Sequence, residues 1–100
     1  MNPSVFIKQP WERRQVVVDF SDSLLSGDLI SSINSITAWL DGVNQSDDII
    51  YGTPTYVGNK VYVTLMGGTN GLTYNIRFRV GSSGGDLIED DLDLTIREKS

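Results

Sequence analysis

Alternating apolar and polar residues in strand-length segments, glycine- and proline-bearing breaks between them, and a glycine corner followed by a tyrosine predict an all-β chain. The architecture expected is an immunoglobulin-like or fibronectin-III-like β-sandwich of six or seven strands with an extended N-terminal arm. The corner carries the most information. Gly67-Gly-Thr-Asn-Gly71 separates the runs Val61–Met66 and Leu72–Val80, and Tyr74 follows shortly after the last glycine. A tyrosine there has a structural role in such sandwiches: its hydroxyl bonds back to the backbone of the preceding loop. Gly67, Gly68, Gly71 and Tyr74 are therefore expected to form a structural corner. At 100 residues the chain has room for one core, divided here into an arm over 1–12 and a sandwich over 13–100.

Met1 to Trp11 contains Pro3 and Pro10 among scattered apolar residues, the pattern of an extended arm. Either a partner orders such an arm or it folds back on its own domain. Arg13 to Phe20 reads as a strand with Val16, Val18 and Phe20 on one face. Asp28 to Leu40 reads two ways. Leu29, Ile33, Ile36 and Leu40 have helical spacing, whereas the serines, threonine and isoleucines favour extended structure, and strand is preferred. Asp41–Asp48 is polar and turn-rich; Ile49–Tyr51 resumes an apolar run that Gly52-Thr-Pro54 bends into a bulged or edge strand. Gly58-Asn59 predicts a two-residue hairpin turn between Tyr56-Val57 and Lys60–Tyr62. Val61, Val63 and Leu65 then share one face, as do Tyr74, Ile76, Phe78 and Val80, opposite Asn75, Arg77 and Arg79. After the loop Gly81–Asp86, Leu92, Leu94 and Ile96 alternate with Asp91, Asp93, Thr95 and Arg97 in a last strand.

The composition removes several chemistries. With no cysteine there is no disulfide and no thiolate, so the sandwich must hold by packing alone. With no histidine the usual general base and the commonest transition-metal ligand are missing. A net charge of −5 argues against nonspecific nucleic-acid binding. No apolar run approaches the length of a membrane span, and the N-terminus lacks a secretory signal pattern, so the chain is expected to stay soluble where it is made. Neither glycine-rich loop is followed by a helix, and no P-loop lysine is present. The acidic cluster Asp86, Glu89, Asp90, Asp91 and Asp93 lacks calcium-loop spacing and reads as a solvated edge that deters strand pairing. No catalytic, cofactor-binding or metal-binding residues are expected.

Partner-binding candidates are Phe6, Lys8 and Trp11 on the arm and Arg77 and Arg79 on the polar side of their strand. For the arginines the simpler role is pairing with Asp91 or Asp93 on the next strand. A different class of function, a carbohydrate-binding or adhesive module, would use Trp39, Tyr51 and Tyr56 as a stacking platform.

The run Val63-Thr-Leu-Met-Gly-Gly-Thr-Asn-Gly-Leu-Thr-Tyr74, continued by Asn75-Ile-Arg-Phe-Arg-Val80, resembles the strand, Gly-Gly-x-x-Gly-x-x-Tyr corner and strand of small tailed-phage and prophage structural proteins of the fibre-tail adaptor type. Leu92–Glu98 resembles their closing strand and charged end. Lys8-Gln-Pro10, Val18-Asp-Phe-Ser-Asp22 and Gly27-Asp-Leu-Ile-Ser-Ser32 resemble their opening segments in the same order. Phe20 stands where that pattern has tryptophan, and Ser31–Leu40 lacks its Ser-Thr-Trp element, so Trp39 is not carried over. The resemblance implies a non-enzymatic virion protein at the tail or neck, made in the host cytoplasm and joining fibres or other components to a ring of subunits in multiple copies. Its partners would be other tail, neck and fibre proteins, with no cofactor, nucleic acid or membrane. The sandwich would dock on the ring while the arm, with Phe6 and Trp11, lies along a neighbour.

Overall fold

Period-two alternation decides most of the architecture, because a strand with one apolar face is stable only when that face is covered. The computed structural model describes residues 5–98. Its elements are β1 (Val5–Lys8), β2 (Arg14–Asp19), β3 (Ile30–Leu40), β4 (Val43–Asn44), the single-turn helix α1 (Ser46–Ile49), β5 (Ile50–Val57), β6 (Lys60–Leu65), β7 (Thr73–Ser82) and β8 (Leu87–Ile96). One sheet has the order β1-β8-β7-β3-β4, the other β2-β6-β5. The sheets share one core: Val16, Val18, Val61, Val63 and Leu65 from the smaller meet Ile76, Phe78, Val80, Leu92, Leu94 and Ile96 from the larger. Phe20 and Phe78 meet edge-on across it, with ring centroids 6.3 Å apart. The result is a β-sandwich with eight described strands, more than the six or seven the sequence led us to expect.

The additional strands are β1 and β4. Residues 5–8, expected as an arm, run parallel to β8 with Val5 opposite Asp93 and Lys8 opposite Ile96, so this part of the arm is an edge strand of its own sandwich. Residues 1–4 of that arm lie outside the described residues. β4 arises from Asp41-Gly42, both at positive φ (49° and 80°), which close a two-residue hairpin with Leu40 opposite Val43.

The ambiguous segment is strand. Ile30, Ile33, Ile36 and Ala38 stand opposite Ser82, Val80, Phe78 and Ile76 on the core side, and register shifts follow Ile30 and Ile33. Each shift sets two residues of β3 against one of β7, and this stretches the apolar spacing from two to three. β5 is bulged between Tyr51 and Thr55 at the edge of its sheet. At the β5–β6 turn only Gly58 has positive φ (61°), the sign pattern of a type II′ turn, so Asn59 does not take the left-handed role allowed to it from sequence.

The connections gather at two ends. At one, the Phe20, Ile30 and Ser83 amides donate to Asn59, Gly58 and Leu29 carbonyls. At the other lie the glycine corner, the β1–β2 turn and α1, where Met66 N–H donates to Ile49 O and Gly71 N–H to Ile96 O.

Candidate functional site

The corner end of the sandwich combines a rigid base with an exposed tryptophan. Gly67 and Gly68 have φ of 59° and 93°, a region L side chains rarely adopt. A Cβ on Gly68 would lie 2.6 Å from the Cδ1 and Cγ1 atoms of Ile96, so glycine is required there both by φ and by space. The Tyr74 hydroxyl, at the start of β7, accepts from the Thr69 N–H at 3.1 Å and ties the corner to the strand that follows. Replacing Tyr74 by Phe keeps the ring in the core and leaves the Thr69 amide without this partner. Chemical denaturation should show a loss of about 1 kcal/mol.

Lys8 is the second brace. Its side chain is 1% exposed. Its ammonium donates to the Gly67 carbonyl and, at 2.9 Å, to the Gln9 carbonyl, while Arg97 N–H donates to Lys8 O. One residue thus joins β1, the corner and the end of β8. Burial pushes the Lys8 pKa below its ordinary 10.5, and the nearby Glu12 carboxylate partly opposes this. Lys8 was expected at a partner surface and instead lies inside, because parallel pairing with β8 turns its side chain toward the corner.

The remaining arm residues part company. Phe6 is half-buried against the core. Trp11 is 95% exposed at the apex of a turn in which Glu12 N–H donates to Gln9 O and Gln9 N–H to the Glu12 Oε1. With Pro10, Arg13, Met66 and Gly67 it borders an open depression of about 600 Å³. The Arg13 guanidinium caps the Tyr51 ring at 3.8 Å. Trp11 thus stands out from a hydrogen-bonded turn beside the braced corner.

Arg77 and Arg79 lie on the outer face of the larger sheet, away from Trp11. Arg79 Nε donates to Glu89 Oε1 at 2.7 Å, its direct cross-strand neighbour. Arg77 Nε lies 3.5 Å from Asp91 Oδ1, an ion pair without hydrogen-bond geometry, and its guanidinium sits 6.0 Å from the Trp39 ring. Both arginines take the cross-strand role, Arg79 with a glutamate the sequence reading had not paired with it. Glu89, Asp91 and Asp93 fall on one face of β8 at alternate positions, spread along the strand.

The three aromatics of the carbohydrate reading do not assemble. Trp39 stands opposite Asn75 on the outer face of the larger sheet, and its indole N–H donates to Thr37 Oγ1 at 2.8 Å. Tyr51 is on the smaller sheet beneath Arg13, and the Tyr56 hydroxyl donates to the Ser31 carbonyl at 2.6 Å. An exposed apolar group at the opposite end, Leu25, Leu29, Val57 and Leu87, escaped the sequence reading. For Leu87 a signal was present: its odd number puts it out of phase with Leu92, Leu94 and Ile96, hence on the outer face.

Comparison with curated proteins finds no match. Among protein families, residues 8–97 match the one described as podophage GP4 fiber-tail adaptor protein gp77. That span runs from the buried Lys8 through the corner to Arg97 and takes in nearly the whole sandwich, so the chain belongs to this podophage fibre-tail adaptor family.

Proposed function

We propose that the chain is a non-enzymatic virion protein that holds fibres on a ring of tail or neck subunits, in several copies set by the symmetry of that ring. The family match over residues 8–97 carries this reading. An adaptor works by offering surfaces at fixed separations, which calls for a rigid body. A sandwich of 45 × 24 × 21 Å with a braced corner supplies one. The fold is read as immunoglobulin-like: β2-β6-β5 and β3-β7-β8 follow the connectivity of the B-E-D and C-F-G strands of such domains, and Tyr74 bonds back across the corner as their conserved tyrosine does. The first strand departs from the constant-type pattern, lying beside β8 and not beside β2.

In this reading the corner end faces the ring and Trp11 is the anchor that enters it. The contact keeps residues 5–8 on their own sandwich, so the arm does not need to be released for docking. Synthesis in the host cytoplasm suits a cysteine-free chain, whose folding needs no disulfide, and the net charge of −5 keeps it off nucleic acid.

Trp11→Ala should leave the melting temperature unchanged, because the side chain has almost nothing to lose from the folded state. Removing a central aromatic anchor typically costs about 2 kcal/mol or more of binding, roughly thirtyfold in affinity. Quantitative mass spectrometry of purified particles made with wild-type and Trp11→Ala protein tests both levels of the reading. The wild-type protein should hold a low, fixed ratio to the tail proteins, and the variant should fall well below it. Absence of the wild-type protein from intact particles would remove the virion assignment; normal incorporation of the variant would remove Trp11 as the anchor.

A further inference from the structure

A strand at the margin of a sheet presents unpaired N–H and C=O groups, and proteins blunt such margins with charge, proline, bulges or a covering segment. The margins of the smaller sheet are blunted. β2 carries Arg14 and Asp19, and β5 is interrupted at Gly52–Pro54. β3 is different. β4 covers only Trp39 and Leu40, so from Ile30 to Ala38 the strand has β7 on one side and, among the described residues, no hydrogen-bonded strand on the other, where β5 of the smaller sheet lies nearby. The run Ile30–Leu40 contains neither a charged residue nor a proline.

The chain closes both ends of this open margin and leaves its middle free. At one end Tyr56 donates its hydroxyl to the Ser31 carbonyl. At the other, Ala38 N–H donates to Ser46 Oγ at 3.0 Å and Ala38 O accepts from Gln45 N–H at 2.7 Å, so both backbone groups of Ala38 point away from β7. Pairing is regular from Ile36 to Trp39, and backbone direction repeats every second residue, so the N–H and C=O of Ile36 point the same way. They find no acceptor or donor among the described residues. Beside them runs a slot of about 380 Å³ between the two sheets, with Ile33 and Ile36 on one lip, Ile50 and Pro54 on the other, and Asp47 at its rim.

We infer that this margin, over Ile33–Thr37, is the seat of the fibre: an extended segment of the fibre protein adds to the larger sheet alongside β3. The inference rests on the adaptor reading above. An extended segment can pair with the N–H and C=O of Ile36 together, and the slot beside them takes apolar side chains from every second residue of such a segment. Asp47 and the absence of any charge on β3 favour a segment with a basic residue at the rim and none between. The slot is small, about 380 Å³, which suits side chains of a linear segment better than a folded face. A linear segment also joins an elongated fibre to the chain without matching rotational symmetry, whereas a ring subunit offers a folded surface of the kind an exposed tryptophan engages.

Hydrogen–deuterium exchange on the purified chain, alone and with the purified fibre protein of the same phage, tests the seat. Two variants accompany it: Ile33→Lys, which puts a charge into the slot, and Asp47→Lys, an exposed change that leaves the core untouched. Fibre addition should slow exchange at Ile36 and its neighbours. Both variants should weaken fibre binding by about tenfold or more, the equivalent of one lost charge-assisted contact, with the melting temperature of Asp47→Lys unchanged. Fibre binding without slowed exchange at Ile33–Thr37, or undiminished in Asp47→Lys, would overturn the seat and leave the adaptor reading standing. Exchange that slows with rising concentration of the chain alone would assign the margin to a second copy and overturn the fibre assignment. A fibre protein that does not bind at all would overturn both readings.

Discussion

Gly68→Val is expected to destabilise the domain by about 2–5 kcal/mol, a large share of the roughly 5–15 kcal/mol that holds a domain together. Two costs combine. A β-branched residue at φ 93° is forced into a backbone region it avoids, at about 1–2 kcal/mol. Its Cβ also falls 2.6 Å from two atoms of Ile96, which is fully buried and cannot swing away, with Tyr74 Cε1 at 3.5 Å closing the other side. Overpacking of this kind costs about 1–3 kcal/mol. The melting temperature should fall by roughly 8–40 °C, taking about 4–8 °C per kcal/mol for a domain of this size. Gly71→Ala is the comparison that separates the two costs, since Gly71 has a similar φ of 89° and open space around it. It should lose about 1–2 kcal/mol from φ alone. Equal losses in the two variants would show that the corner is not packed against Ile96 as described.

Lys8→Ala is expected to cost about 2–4 kcal/mol. Truncation strips the Gly67 and Gln9 carbonyls of a charged donor and leaves space where the aliphatic stem packed. Lys8→Met fills that space, so its loss should be smaller, and the difference between the two measures the packing of the stem. The pH dependence adds a check that packing cannot imitate. Burial holds the folded-state pKa of Lys8 below 10.5, so between that lowered value and 10.5 the unfolded chain binds more protons than the folded one. Its contribution therefore favours folding most above 10.5 and is lost as pH falls through the folded-state value. Denaturation curves across alkaline pH should show the wild type gaining stability relative to Lys8→Met as pH rises through this window. A constant difference between the two proteins would mean that Lys8 titrates normally and is not buried.

Much of this arrangement is legible in the residues alone, and the parts that are not share a cause. β2, β6, β7 and β8 alternate cleanly because each has one face on the core and one in water, so burial leaves its period directly in the sequence. β3 was ambiguous because its bulges lengthen the spacing of Ile30, Ile33 and Ile36 to three, close to a helical repeat, while the chain stays extended. The corner glycines and Tyr74 could be read because a local turn demands particular residue types. Lys8 could not. Its environment is made by β8 and Gly67, remote in sequence, and a short charged-ended segment with two prolines looks like an arm until its parallel pairing is known. The hairpin at Asp41-Gly42 carried a local signal, an aspartate-glycine pair, inside a stretch read as polar and turn-rich with no strand assigned to it. The open margin of β3 shows in sequence solely as missing charge, which acquires meaning once its neighbours in the sheet are known.

The two surfaces assigned to the chain are separate: Trp11 stands on the corner end, and the open margin of β3 lies along the side between the two sheets. Defects at one should leave the other intact, so Trp11→Ala protein should still bind isolated fibre protein, and Asp47→Lys protein should still enter particles. The most direct test of the adaptor role is electron microscopy of particles produced by phage from which this gene has been deleted. The account predicts particles with assembled tails that lack their fibres, restored by supplying the protein in trans. Fibres attached at normal occupancy on particles without the protein would contradict it.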